Sequence, residues 1–344
     1  MRWDNLRLDV RPEDDRVTVP LFEQGAVVRT FDTPEFRGIT FYEVRAKSII
    51  NRVPDASYVP FRWTINPYRG CTMQCFFCFA RKTHTYLDFD YGEDFNSRIV
   101  VKVNAPELLR KELSASKWEG DHIAMGTNVD PYQRAEGRYR LMGGILEGLR
   151  DFGNPFSILT KGTLILRDID LLQKCARVTE VATNFSVGSV DRELWRVVEP
   201  GTPNPLRRLV AVRKLNEAGV SCGVLMAPIL PFLSDMDEAM TETVRAIAEA
   251  KATHVMPIVL HLRKGGSREW FMKWLRERHP DLVPKYRELY GDRAYAPKAY
   301  QQEIAEKVRK LARRFGVGGA SARKARWVSG PPQAPQPVQL GLSL

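Results

Sequence analysis

Cysteine and histidine are scarce in this chain, five of each in 344 residues. So few excludes a disulfide-stapled scaffold and makes any grouping of them informative. Long apolar runs are missing as well. No stretch approaches the roughly 20 residues that cross a bilayer, so no membrane partner is expected. The first residues, Met1-Arg2-Trp3-Asp4-Asn5-Leu6-Arg7, lack the apolar core of a signal peptide. These absences read together as a cytoplasmic protein, in a compartment where thiols stay reduced. Excess charge is absent from most of the chain. The net charge of +11 sits in residues 263–328, which carry 18 Lys and Arg against 7 Asp and Glu, while the remainder balances at 34 of each. A basic excess confined to one segment is the distribution of a nucleic-acid-facing surface, or of solvated helix faces that happen to be basic.

What is present centres on Arg69-Gly70-Cys71-Thr72-Met73-Gln74-Cys75-Phe76-Phe77-Cys78. Three of the five cysteines fall at C-x3-C-x2-C. Thiolates this close can point at one centre, and soft sulfur ligands select zinc or an iron–sulfur cluster. A closed zinc site wants a fourth ligand, for which His84 is the only close candidate. Three thiolates with no fourth leave one coordination position open to a substrate or cofactor.

The patterning around this loop is regular. Residues 1–45 read as a polar, irregular extension with short apolar patches such as Val17-Thr18-Val19, and turn signals follow up to residue 60. Phe61-Arg62-Trp63-Thr64-Ile65-Asn66 alternates like a strand and runs into the cysteine loop. A helix is predicted over Ala105–Ser114, with Asn104 as N-cap and Pro106 near its start. Strands are predicted at His122–Thr127, Phe156–Thr160, within Val178–Val187, at Val220–Leu230 and at His254–Leu262. Helices are predicted between them at Tyr139–Asp151, Asp168–Cys175, Pro205–Ala218 (closed by Gly219) and Asp235–Ala250. Six alternations over 61–262 imply an α/β core with a parallel sheet covered by helices. Polar residues gather where strands end: Asn128 and Asp130, Lys161, Asn184 and Ser186. In α/β folds that is the end that carries the site. Spacing alone does not separate an open sheet from a barrel. Beyond 263, Arg268–Glu277 and Gln301–Phe315 read as amphipathic basic helices with interleaved aromatics, which at helical spacing are core more often than base-stacking platforms. The tail 329–344 is Pro-rich and reads as disordered.

The cysteine spacing, with Phe77 before the third cysteine, resembles the cluster loop of the radical S-adenosylmethionine (SAM) superfamily. Further stretches resemble its spore photoproduct lyase-related branch, in an actinobacterial-type subgroup: Thr64–Cys71, Cys78-Phe79-Ala80-Arg81, Thr127-Asn128-Val129-Asp130-Pro131-Tyr132-Gln133 with Glu136, Leu159-Thr160-Lys161, and Ala227-Pro228-Ile229-Leu230-Pro231. The resemblance runs from about residue 35 to 317. It implies a (β/α)6 partial TIM barrel carrying the cluster loop after its first strand, with a basic helical extension at 263–328. It implies a 4Fe–4S cluster on Cys71, Cys75 and Cys78, its fourth iron chelated by SAM. Phe77 would lie near the adenine, Thr127 and Asn128 near the methionine amino group, and Lys161 and Ser186 around the methionine carboxylate and ribose. Asp130 and Glu136 would be substrate or cofactor contacts or loop caps, and Arg69 and Arg81 would face the cluster's charge or pair with nearby acids. An external flavodoxin- or ferredoxin-like donor would supply an electron, SAM would cleave to a 5′-deoxyadenosyl radical, and that radical would abstract hydrogen from a substrate. One departure stands out. Spore photoproduct lyase uses a cysteine just after the second strand as hydrogen donor, and here that region reads Ala124-Met125-Gly126-Thr127. The resemblance therefore leaves the substrate open among a nucleic-acid lesion, a modified nucleotide and something else. A cluster-bearing nucleic-acid-binding or redox-sensing protein without SAM chemistry is the alternative.

Overall fold

The computed structural model describes residues 26–54 and 59–318. Val17-Thr18-Val19, the Pro-rich tail and the end of the basic segment, 319–328, lie outside the described residues. Within them the strands are β1 (Val27–Thr30), β2 (Thr40–Val44), β3 (Ile50–Arg52), β4 (Trp63–Ile65), β5 (Tyr68–Arg69), β6 (Arg98–Lys102), β7 (Ile123–Met125), β8 (Phe156–Thr160), β9 (Val181–Ser186), β10 (Cys222–Ile229) and β11 (Val255–Val259).

One sheet runs β11-β10-β9-β8-β7-β4-β3. From β4 to β11 every neighbour is parallel and the strands follow chain order, while β3 closes the β4 edge antiparallel. Parallel strands need covering crossovers. They are supplied by Ala105–Leu113, Leu141–Asp151, Ile169–Val178, Pro205–Glu217 and Asp237–Glu249. This is the α/β, (β/α)6 partial barrel. Local chemistry fixes its joints. Asn204 accepts from the Leu206 amide at 2.9 Å, Pro205 opens the helix, and Gly219 follows its end at φ 78°. Asn104 occupies its expected N-cap position, but its side chain is spent elsewhere. It exchanges hydrogen bonds of 2.8 and 2.9 Å with the backbone of Ala46 and so ties down the N-terminal segment.

The N-terminal segment is more ordered than its polar composition predicts. A second, four-stranded sheet runs β1-β2-β6-β5, and β2 pairs in parallel with β6. Strand β6 escapes an alternation test because Ile99, Val100 and Val101 are all buried. This sheet flanks the cysteine loop on one side. Of the C-terminal helices Ser267–Arg278, Val283–Tyr290 and Lys298–Phe315, the first also packs on the loop, through Trp270 and Trp274 against Phe76. Phe271, Trp274, Tyr286 and Tyr290 are buried there in one core with Met226, Ile229 and Val259 of the barrel. Those aromatics are core, each contributing roughly 1.5–3 kcal/mol or more of burial. Among the described residues, no helix is long and apolar enough to cross a membrane.

Candidate active site

The cysteine loop leaves the carboxyl end of β4 and is held from four directions. The Cys71 amide donates to Phe95 O at 2.8 Å and the Phe76 amide to Val198 O at 3.0 Å. Buried Gln133 makes a two-way brace, accepting from the Thr72 amide at 2.9 Å and donating to Gly70 O at 3.0 Å. Arg81 donates to Cys75 O through two nitrogens, at 3.0 and 3.3 Å. Two glycines make this packing possible. Gly70 turns at φ 75°, where a Cβ would meet Arg98 O at 2.7 Å. A Cβ on Gly201 would lie 2.5 Å from Thr72 O.

All three thiols are free; Cys75 feels the charge of Cys71 and Cys78, and Cys71 that of Cys78. Burial pushes Cys71 up to about 12 and raises Cys75 and Cys78 as well; Lys161 opposes this at Cys75, and Arg81 at Cys78. Buried thiols of this kind do not ionise unaided. A metal centre takes the proton's place, and loading it releases protons. His84 does not join them. It is fully buried against Phe89 and Phe95, with ring centroids 5.1 and 5.5 Å away, and burial lowers its pKa to about 4. The closed-zinc reading thereby loses its fourth ligand.

Across from the loop stand the ends of β8 and β9. Lys161 Nζ donates to Ser186 Oγ and to Glu199 Oε2, both at 2.8 Å, and lies 5.2 Å from the centre of the Phe77 ring. Lys161 is therefore no surface lysine before a turn. Glu199 in turn receives Arg208 at 2.6 Å, and Arg208 also binds Thr202 Oγ1 and Ser186 O. Burial would push Glu199 up, but the charges and hydrogen bonds of Arg208 and Lys161 outweigh it and hold the carboxyl below its usual range. Two cations sharing one carboxylate leave the locus positive, which suits an anionic group. A narrow cleft opens beside it, lined by Phe77, Gly188, Glu199 and Pro228.

Thr127 and Asn128 lie half-buried on the turn after β7, and neither side chain bonds another described residue. Asp130, on the same turn, is a brace. Its carboxylate accepts from Tyr132 N, Thr160 Oγ1 and Lys161 N at 2.9, 2.6 and 2.6 Å and fixes where Lys161 starts. Glu136 is wholly committed to structure, accepting from Tyr68 OH, Arg167 and the Leu141 and Met142 amides. Arg69 sits in β5 and its charge bears on His84 and Lys102. Arg81 is fully buried, and among the described residues no carboxylate pairs with it. Glu199, Arg208 and Gln133 were not assigned roles from sequence. Gln133 stands in a quoted motif, whereas Glu199 follows a helix, Arg192–Val198, that lacks a clear periodic signal.

The sequence profile of the Radical SAM superfamily matches residues 65–245. The chain belongs to that superfamily. It is 46% identical over 321 residues to a protein of Mycobacterium tuberculosis, covering 93% of this chain and 94% of that one. A protein of Methanocaldococcus jannaschii is 31% identical over 207 residues, 60% of this chain and 73% of the other. Among solved structures, spore photoproduct lyase complexed with dinucleoside spore photoproduct superposes with a TM-score of 0.62 at 17% identity, covering 81% and 80% of the two chains. A mutant of the same lyase with bound AdoMet and dinucleoside spore photoproduct superposes with a TM-score of 0.59 at 18% identity, over 77% of each chain. Radical SAM membership implies a 4Fe–4S cluster and SAM. The residues present fit such a cluster. As cluster ligands the three thiols would carry negative charge, and beside them lies a buried guanidinium whose hydrogen-bond acceptors are all neutral. The two cysteines outside the loop lie elsewhere than the turn after β7. Cys175 points at Leu146 O from its helix, and Cys222 is buried at the first residue of β10.

Proposed function

We propose that this chain is a SAM-cleaving iron–sulfur enzyme acting on a nucleic-acid lesion or a modified nucleotide. Cys71, Cys75 and Cys78 hold the cluster and leave one iron for SAM. The observation that carries the reading is the pairing of Lys161 with Ser186 over Phe77, with the Lys161 charge bearing on Cys75 and Cys78. Such an arrangement seats a carboxylate and a ribose against a cluster-bound ligand, with Thr127 and Asn128 at the amino group. When bound and reduced, the cluster supplies one electron that splits SAM into methionine and a 5′-deoxyadenosyl radical. The chain's own part is to position and to exclude water. Glu199 and Asp130 hold Lys161 in place, and the braced loop holds Phe77 in the wall of the cleft. An external one-electron donor, flavodoxin- or ferredoxin-like, completes the cycle.

The nucleic-acid substrate is supported by the rim beside the loop. Phe79 and Tyr295 are 45% and 40% exposed, an unusual state for rings in this protein. Arg263 lies 5.8 Å from the Phe79 ring and donates to Tyr295 OH at 2.9 Å, and His261 packs 4.6 Å from Tyr295. Exposed rings beside cations suit unpaired bases and phosphates. The missing cysteine after β7 argues against repair of the spore photoproduct itself. A redox sensor or binding protein that merely bears a cluster would have no use for the Lys161–Ser186 locus. The test is anaerobic reconstitution with iron and sulfide, then dithionite and SAM. Wild type is expected to form 5′-deoxyadenosine and Cys75→Ala to form none. A fully loaded cluster that gives none, with or without nucleic acid, would overturn the proposal.

A further inference from the structure

Arg81 presents an energetic problem that the protein alone does not solve. Its side chain is fully buried. Its guanidinium donates to Cys75 O, to Tyr91 O at 3.1 Å, to Gly92 O at 2.8 Å and to Asn96 Oδ1 at 3.0 Å. Every acceptor is neutral. Phe95 and Trp270 cover the charge, with ring centres 5.1 and 4.8 Å from Cζ. Buried Arg208 and the partly buried side chains of Lys161 and Arg167 differ. Arg208 and Lys161 share Glu199, and Arg167 has Glu136 and Asp168. A buried cation without an anion is strongly unfavourable, so a missing anion is the simplest account. The groups whose negative charge bears on it are, in order, Cys78, Cys75, Glu93 and Cys71. Glu93 makes no ion pair with it among the described residues, which leaves the thiols of Cys78 and Cys75 as the leading candidates.

We infer that Arg81 is the built-in counter-charge of the cluster, a positioning residue that raises its reduction potential and so eases its one-electron reduction. The inference rests on the cluster reading above. Reduction adds one negative charge to the cluster and leaves the guanidinium unchanged. A fixed cation beside the thiolates therefore favours the reduced form, and net charge and hydrogen bonding are the levers that set cluster potentials. The two-nitrogen grip on Cys75 O also fixes the distance, because it anchors the cation to the loop that carries the ligands. Trp270 comes from Ser267–Arg278, so the C-terminal region helps to hold the cation in place.

The experiment is an anaerobic redox titration of the reconstituted full chain, followed by electron paramagnetic resonance, with iron and sulfide counted in each sample. Arg81→Gln should lower the potential, so that the ratio of reduced to oxidised cluster at a fixed potential falls about tenfold, ~59 mV for one electron. Arg81→Lys, which keeps the charge, should stay near wild type. An unchanged potential in loaded Arg81→Gln, or an equal fall in both variants, would overturn the inference. If Arg81→Gln does not load, Asn96→Asp keeps the packing and sets a carboxylate against the guanidinium. It should shift the potential downward, and no shift would again overturn the inference. Wild type that binds no cluster would sink the proposed function itself, an outcome distinct from a loaded wild type whose variants do not differ.

Discussion

His84 shows how a single residue can look functional and be structural. In sequence it is the only histidine near three cysteines; in the fold it is spent against Phe89 and Phe95. Its burial has a measurable consequence. The folded chain keeps the ring neutral down to about pH 4, whereas the unfolded ring takes up a proton below its ordinary value of 6.5. Its contribution to stability is intact above about pH 6.5 and is lost as the pH falls towards 4. Denaturant unfolding of wild type should therefore lose roughly 3 kcal/mol more than His84→Phe over that interval. Equal losses would show that the ring titrates freely. The grouping of the three cysteines and the strand-end places of Lys161 and Ser186 were legible because spacing and strand pattern are local properties, whereas Phe77 was singled out by the family resemblance, and what these residues bind belongs to the proposal. Glu199 was not legible, since its role exists only once β8 and the segment after Arg192–Val198 meet. Asp130 and Glu136 were visible as polar residues in a motif, but only their hydrogen bonds separate brace from ligand.

At the scale of elements, the loop is a clamped object. Ser267–Arg278 reaches it through Trp270 and Trp274, whose rings stack on Phe76 at 5.8 and 5.9 Å, and Ser267 Oγ donates to Phe79 O at 3.0 Å. Trp274 Nε1 donates to Val197 O at 2.9 Å, which links the clamp to the segment that carries Glu199. Trp274→Ala should cost about 3–5 kcal/mol in denaturant unfolding and lower the iron retained after reconstitution. Trp274→Phe, losing chiefly one hydrogen bond, should cost closer to about 1 kcal/mol. Normal stability in the alanine variant would mean that the helix is not a clamp. The six-fold strand–helix alternation was readable because long periodic elements carry strong signals. The short β3 and β5 and the largely buried β6 were not, since β3 falls among turn signals, β5 is two residues long, and a strand buried on both faces does not alternate.

For the whole molecule, the basic excess and the site meet at one rim. The C-terminal helices share a core with the barrel, while Arg263 and Tyr295 stay at the surface beside Phe79. If this rim carries single-stranded nucleic acid, affinity should fall steeply with salt, about 50-fold between 50 and 200 mM for four neutralised phosphates. A flat response in a binding titration would remove the nucleic-acid role and leave the enzyme reading standing. Charge distribution was plain in the sequence, but which basic residues stay exposed is a property of packing. The central claim is that three thiols and Lys161 hold a cluster and SAM against each other. The most direct measurement is the electron paramagnetic resonance spectrum of the reduced, fully loaded protein before and after adding SAM. The account predicts a changed spectrum in wild type and at least a tenfold higher SAM requirement in Lys161→Ala, from the loss of a charge-assisted hydrogen bond of about 1.5–3 kcal/mol. A loaded, reduced cluster whose spectrum ignores SAM would contradict it.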